Sequence, residues 1–239
     1  MIQKLSGVEQ VGIYSVAYSI GNAINIISNS INQTITPWLY RKLKDNDYKE
    51  IRKNIMYIFL IVLLIISVFI LMVPELLSII AAKEYKEALY VICPVAVSTF
   101  FSFVYGLFAT IEFYFDKNKF SMIISGIAAI ANIVLNAIFI NIFDYRAAGY
   151  TTMVCYAILA IGHLIYTNKV LENNKKGYLI KSTTMISIIL LMIGIVIISQ
   201  ILNKFVYIRY LIIIITFGLA FIKRKVIIKK LNILQKNNT

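Results

Sequence analysis

The chain has 239 residues, 60% of them hydrophobic and 15% charged, where soluble domains carry about 45–50% apolar and about 25% charged residues. A water-soluble fold could not cover that much apolar surface, and the mean hydropathy of +0.80 places the excess against lipid. The net charge of +13, from 24 Lys+Arg against 11 Asp+Glu, does not point to nucleic acid, because the basic residues fall between long apolar runs, a pattern of membrane topology.

A membrane-crossing helix needs about 20 predominantly apolar residues. The runs predict an all-α, polytopic helical bundle over residues 1–222, with about seven transmembrane helices at that length. They lie near residues 11–40, 52–73, 87–115, 120–143, 147–169, 182–203 and 207–222. Residues 223–239 form a basic tail. The opening Met1-Ile2-Gln3-Lys4-Leu5-Ser6-Gly7 lacks the charged start and apolar core of a cleavable signal peptide.

The first helix carries Ser15, Tyr18, Asn22, Asn25, Asn29, Asn32 and Thr36 at alternating spacings of three and four. This spacing gathers them on one helical face, with Gln33 beside them. Amides at bilayer depth must find partners or water. The stripe therefore reads either as the wall of a water-filled cavity or as a polar seam against another helix. It carries no charge, and asparagine both donates and accepts hydrogen bonds, which suits a hydroxyl-rich sugar. Pro74, followed by Glu75, marks the expected end of the second helix. In the third, Pro94 predicts a kink.

Glu112 is the one carboxylate well inside an apolar run. It reads as an interfacial acid reaching toward Lys117 or Lys119, or as a coupling residue for protons or cations. Asn132 and Asn136, four apart on the fourth helix, read as helix-packing polar residues rather than as substrate contacts. His163, the only histidine, has no second ligand at metal spacing and reads as a packing or interfacial residue. Cys93 and Cys155 read as small buried apolar residues. Arg209, near the start of the last helix, can snorkel to the headgroups. The basic tail reads as an anchor to anionic lipid. No nucleophile elbow, zinc motif or phosphate loop occurs, so the sequence calls for no enzyme activity, no metal and no cofactor.

Alternating the separators assigns 18 of the 24 basic residues to one side and 6 to the other. By the positive-inside rule the C-terminus is then cytoplasmic and the N-terminus outside. An outside N-terminus without a signal sequence suggests that an upstream segment is missing.

Several motifs together resemble one family. Val11-Gly12-Ile13-Tyr14-Ser15-Val16-Ala17-Tyr18, Pro37-Trp38-Leu39-Tyr40 and Lys83-Glu84-Tyr85-Lys86-Glu87-Ala88 are followed by Ile111-Glu112-Phe113-Tyr114. After them come Ala128 to Asn136 and Ala147-Ala148-Gly149-Tyr150-Thr151-Thr152. In this order they resemble the Wzx-type O-antigen and polysaccharide flippases of the multidrug/oligosaccharidyl-lipid/polysaccharide exporter superfamily. The resemblance covers roughly residues 1–170; the last two spans match only as generic membrane helices. It implies half of a two-bundle transporter in a bacterial cytoplasmic (inner) membrane, serving lipopolysaccharide or capsule synthesis. Its substrate would be an undecaprenyl-pyrophosphate-linked oligosaccharide. The other partners implied are the lipid bilayer and an N-terminal helical bundle, from the same or a separate chain. A cavity-lining role carries over to the stripe from Tyr18 to Thr36. The alternatives are a drug or lipid exporter of the same superfamily and a non-transporting membrane subunit or inactive fragment.

Overall fold

The computed structural model describes residues 2–80 and 83–222. The expected tail at 223–239 lies outside the described residues. Helices α1 (Ile2–Leu5), α2 (Val8–Lys44) and α3 (Tyr48–Ile80) lead into a 3-10 turn, Lys83–Ala88. Then come α4 (Leu89–Tyr114), α5 (Asn118–Phe143), α6 (Ala147–Asn173), α7 (Ser182–Leu202) and α8 (Val206–Ile222). The described residues form no strand. Six helices are long and apolar enough to cross a membrane. The seventh expected span, α8, has 17 residues and reaches about 25 Å at about 1.5 Å per residue, short of a hydrocarbon core about 30 Å thick.

Two helices outrun their sequence boundaries. Pro74 was expected to end the second span, yet α3 continues through it to Ile80. Burial explains this: Val73 and Leu77, on either side of the proline, pack into one cluster with Val91, Ile92 and Val95 of α4. That packing outweighs the single backbone bond a proline removes. Likewise α2 runs unbroken through Pro37 to Lys44, where Trp38, Leu39 and Leu43 are buried.

Helix α4 is the most enclosed span and α5 the least. On one side of α4 lies α2, on the other α6, and all three run in the same direction. Along α2 the order is Gly21 against Ile92 and Val95, Asn32 against Phe103, and Tyr40 against Tyr114. Along α6 it is Gly149 against Val91 and Pro94, then His163 against Glu112. Both glycines stand where the helices come closest. A Cβ on Gly21 would lie 2.9 Å from the Ile92 carbonyl oxygen, and one on Gly149 would lie 3.2 Å from that of Val91. On the α3 side, Phe59 makes edge-to-face contacts with Phe100, Phe103 and Phe108 at 6.1–6.2 Å, a favoured aromatic geometry. Helix α5 turns Met122, Ile123, Ile127, Ile130 and Ile142 outward, a lipid-facing surface in a membrane protein.

The loops are tied down at both ends. At the more basic end, Asp47 accepts a hydrogen bond from the Glu50 N–H at 3.1 Å, capping the start of α3. That bond, and then Lys42, hold its carboxyl below the usual range. Arg52 donates to the Lys176 carbonyl at 2.5 Å, and Lys176 donates to Asn46 at 2.6 Å. Asn168 clamps the loop before α7 twice, donating to the Ile180 carbonyl at 2.9 Å and accepting from the Leu179 N–H at 2.7 Å. Asn168→Ala should remove both bonds at a cost of about 1–3 kcal/mol. Faster limited proteolysis between residues 174 and 181 would register this; an unchanged rate would mean the clamp does not hold the loop.

At the opposite end, Tyr145 donates to Glu87 at 3.2 Å. Burial tends to raise the Asp144 carboxyl, but hydrogen bonds from Arg146 outweigh it and hold that group below its usual range. The expectation for Arg209 is corrected here. Its side chain is buried and pairs with Glu75 of α3, so it reaches a carboxylate rather than the headgroups.

Candidate functional site

Four helices enclose a cavity of about 560 Å³. Tyr14 and Tyr18 come from α2, Tyr105 from α4, Ser125, Asn132 and Asn136 from α5, and Thr152, Cys155 and Tyr156 from α6. Helical geometry explains the grouping. Tyr14 and Tyr18 are one turn apart and stack at 5.9 Å. Asn132 and Asn136 are likewise one turn apart, and Asn136 Nδ2 donates to Asn132 Oδ1 at 3.0 Å. Tyr105 stacks on Tyr156 across the α4–α6 contact at 6.1 Å. The lining presents phenol rings, amides and hydroxyls together with the apolar Ala128, Ala129, Ile133 and Leu159, and no Lys, Arg, Asp or Glu among the described residues.

One hydrogen bond divides this polar space from lipid-like surroundings. Thr151 Oγ1 of α6 donates to Asn136 Oδ1 at 2.5 Å. Thr151 also lines a second, mostly apolar hollow of about 600 Å³, formed with Leu135, Phe139, Phe143, Ala147, Tyr150 and Val154, with Arg146 among its lining residues. The α5–α6 seam thus has a polar hollow on one side and an apolar groove on the other.

Of the sequence-derived stripe, Tyr18 lines the cavity, and it meets Asn132 and Asn136 there. The other members lie elsewhere along α2. Tyr18, Asn22, Asn25, Asn29 and Thr36 each sit one position beyond a residue that α2 buries, Ala17, Gly21, Ile24, Ser28 and Ile35 in turn. One position is a turn of about 100°, so the stripe follows the edge of the α2–α4 seam. Asn32 Nδ2 donates to the Phe103 carbonyl at 3.3 Å. Asn25 Oδ1 is buried without a partner among the described residues. Asn29 and Gln33 are exposed, whereas Asn22 and Thr36 are half-buried. Asn132 and Asn136 bond each other and Thr151 as packing groups do, and they also face the cavity.

Glu112 does not reach toward Lys117 or Lys119. Its carboxylate is fully buried between α4 and α6, with both oxygens 3.0 Å from His163 Nδ1. Thr167 Oγ1 donates to Oε1 at 3.0 Å. His163 is equally buried, and its ring lies against Tyr105 at 5.5 Å and Phe120 at 5.6 Å. The sequence reading missed Tyr105 and Tyr156, although a hydroxylated ring inside an apolar run is a usable signal. It also missed the Glu112–His163 pair, which no spacing within one helix reveals. Cys93 and Cys155 are free and buried, and no cluster able to hold a metal occurs among the described residues.

The sequence profile of the PelG family, the putative exopolysaccharide exporters (EPS-E), matches residues 28–176. The chain belongs to this family. The matched stretch runs from the middle of α2 to the loop beyond α6. It includes Tyr105, Glu112, Asn132, Asn136, Tyr156 and His163, while Tyr14 and Tyr18 precede it. Comparison with curated proteins and with solved structures gives no match. An exopolysaccharide exporter is a multi-pass membrane transporter; the α4, α5 and α6 walls of the hollow lie within the matched stretch, and its α2 wall precedes it.

Proposed function

We propose that this chain is a flippase component that moves an undecaprenyl-pyrophosphate-linked oligosaccharide across the bacterial cytoplasmic membrane, with its C-terminus in the cytoplasm. It would work with an N-terminal helical bundle from the same or a separate chain. The observation that carries the reading is the cavity between α2, α4, α5 and α6, polar yet uncharged, next to an apolar groove. Aromatic faces stack on the C–H faces of sugar rings, while amides and hydroxyls exchange hydrogen bonds with sugar hydroxyls. The groove suits a prenyl chain kept in the bilayer while the glycan crosses. The stripe from Asn22 to Thr36 would continue the hydrated path along α2 toward the more basic end. Alternate opening of the path to the two sides is the general mechanism of repeat-built transporters.

Alanine at Tyr18, Tyr105 or Tyr156 should lower polysaccharide export by roughly tenfold each, since one lost aromatic contact is worth about 0.5–1.5 kcal/mol and an unmet hydrogen bond about 1–3 kcal/mol. Phenylalanine, which keeps the ring, should cost less. Export is read as cell-surface polysaccharide in a strain lacking the native protein. In a cysteine-free background, Asn22→Cys, Asn25→Cys and Asn29→Cys should react with a water-soluble thiol reagent. If all three resist it from both sides of the membrane, the stripe is not a hydrated path.

A further inference from the structure

A carboxylate and an imidazole sealed together inside a membrane bundle are unusual, because each is expensive to bury in its charged form. Glu112 and His163 are both 0% exposed and 3.0 Å apart. Every polar atom of the trio Glu112, His163 and Thr167 has a partner except one. His163 Nε2 is buried without any among the described residues. Nδ1 faces the carboxylate, so Nε2 is the ring nitrogen left to hold or release a further proton. The oxygens of Glu112 are already taken by Nδ1 and the Thr167 hydroxyl, which leaves no oxygen cage for a metal cation.

Charged and titratable groups stand at the ends of the helices around the pair. The ionisable groups of the neighbouring helix ends are Tyr40 and Arg41 on α2, Arg52 and Tyr57 on α3, and Tyr114, Asp116, Lys117 and Lys119 around the α4–α5 turn. On and beyond α6 they are Tyr166, Lys169, Glu172 and Lys181. The ion pair that Glu112 makes with the imidazole is direct, at 3.0 Å. With the imidazole's own N–H on Nδ1 and one further proton on Nε2, the carboxylate and the imidazolium are neutral as a unit. Adding another proton, or removing that further one, would leave net charge in a dry site, so exchange requires α4 and α6 to part and admit water. The ring of Tyr105 touches both His163 and Tyr156, and Tyr105 and Tyr156 line the cavity. One aromatic ring therefore joins the buried pair to the substrate space.

We infer that Glu112, His163 and Thr167 form a proton-binding site, and that its proton is exchanged when the α4–α6 contact opens as the exporter changes state. Tyr105 passes that opening to the cavity. The binding event is a plain proton transfer: a proton adds to the Nε2 lone pair, or leaves the site to water, and no other bond changes.

Two measurements test this on the full chain. The first is infrared difference spectroscopy of the purified wild-type protein in lipid, stepped between mildly acidic and mildly alkaline buffer. It should show a carboxyl C=O band and an imidazole band changing together, both absent in Glu112→Gln. The second is proton flux into vesicles loaded with a pH-sensitive dye, driven by a potassium diffusion potential. Flux should fall at least tenfold in Glu112→Gln and in His163→Gln, and should not depend on sodium. Glutamine keeps the size and hydrogen-bonding reach of the carboxyl, and gel filtration confirms that each variant is folded. Should Glu112→Gln fail that check, the wild-type infrared spectrum alone decides. Bands that do not respond to pH, flux unchanged in a folded variant, or flux that follows sodium would each overturn the inference. None of these measurements involves a glycan, so their failure would leave the flippase reading standing.

Discussion

Replacing Glu112 with alanine should destabilise the protein by about 3–5 kcal/mol, the usual effect of removing one partner from a buried pair. The reason lies with what remains. His163 would keep a buried ring nitrogen that has lost both carboxylate oxygens, and Thr167 would lose its nearer acceptor. His163→Ala should cost a similar amount, since it strands the carboxylate. Replacing both with leucine should cost far less than the two single losses together, because apolar side chains fill the volume and strand no ionisable group, while the Thr167 hydroxyl keeps the Phe108 carbonyl at 3.5 Å. Unfolding by sodium dodecyl sulfate in mixed micelles, followed by circular dichroism, measures all three. Strictly additive losses would show that the two side chains act as separate packing groups.

The second large effect is expected at Gly21. Its Cβ would sit 2.9 Å from the Ile92 carbonyl oxygen and from two side-chain carbons of Val95. The oxygen belongs to the backbone of the central helix and cannot step aside. Gly21→Val must push α2 off α4, at about 1–3 kcal/mol or more for overpacking. It should also carry Tyr14 and Tyr18 away from the cavity, so export should fall with thermal stability. Gly12→Val is the matched control on the same helix, since a Cβ there meets nothing within 4 Å. Equal behaviour of the two variants would mean that the α2–α4 approach is not tight.

Much of the architecture was legible in the sequence, because lipid imposes a simple rule. A long apolar run must be a helix, since no water is present to satisfy its backbone. Runs near 120–143 and 182–203 accordingly became α5 and α7 with small changes at their ends. Boundaries slipped where tertiary burial extended a helix past a proline, as with Leu77 after Pro74. The 3-4 spacing of the α2 stripe correctly put those side chains on one face, but periodicity does not say which neighbour that face meets. Burial answers this: α2 packs through Ala17, Gly21 and Ile24, and the asparagines run alongside. Tyr105 and Tyr156 were hidden because an aromatic in an apolar span looks like any core residue. Glu112 misled for another reason. Its nearest bases in sequence are Lys117 and Lys119, yet its partner lies on the next helix but one.

That partner arrives late. Glu112 and His163 are 51 positions apart, and at a synthesis rate of about 5–20 residues per second the histidine follows the acid by about 3–10 s. Throughout that interval α4 has entered the insertion pathway with an acidic group and nothing to neutralise it, and α5 must be threaded before relief comes. The nascent chain therefore depends on the insertion machinery, or on a borrowed proton, to hold α4 until α6 joins it. Ribosome pausing between these two helices would prolong that unpartnered state.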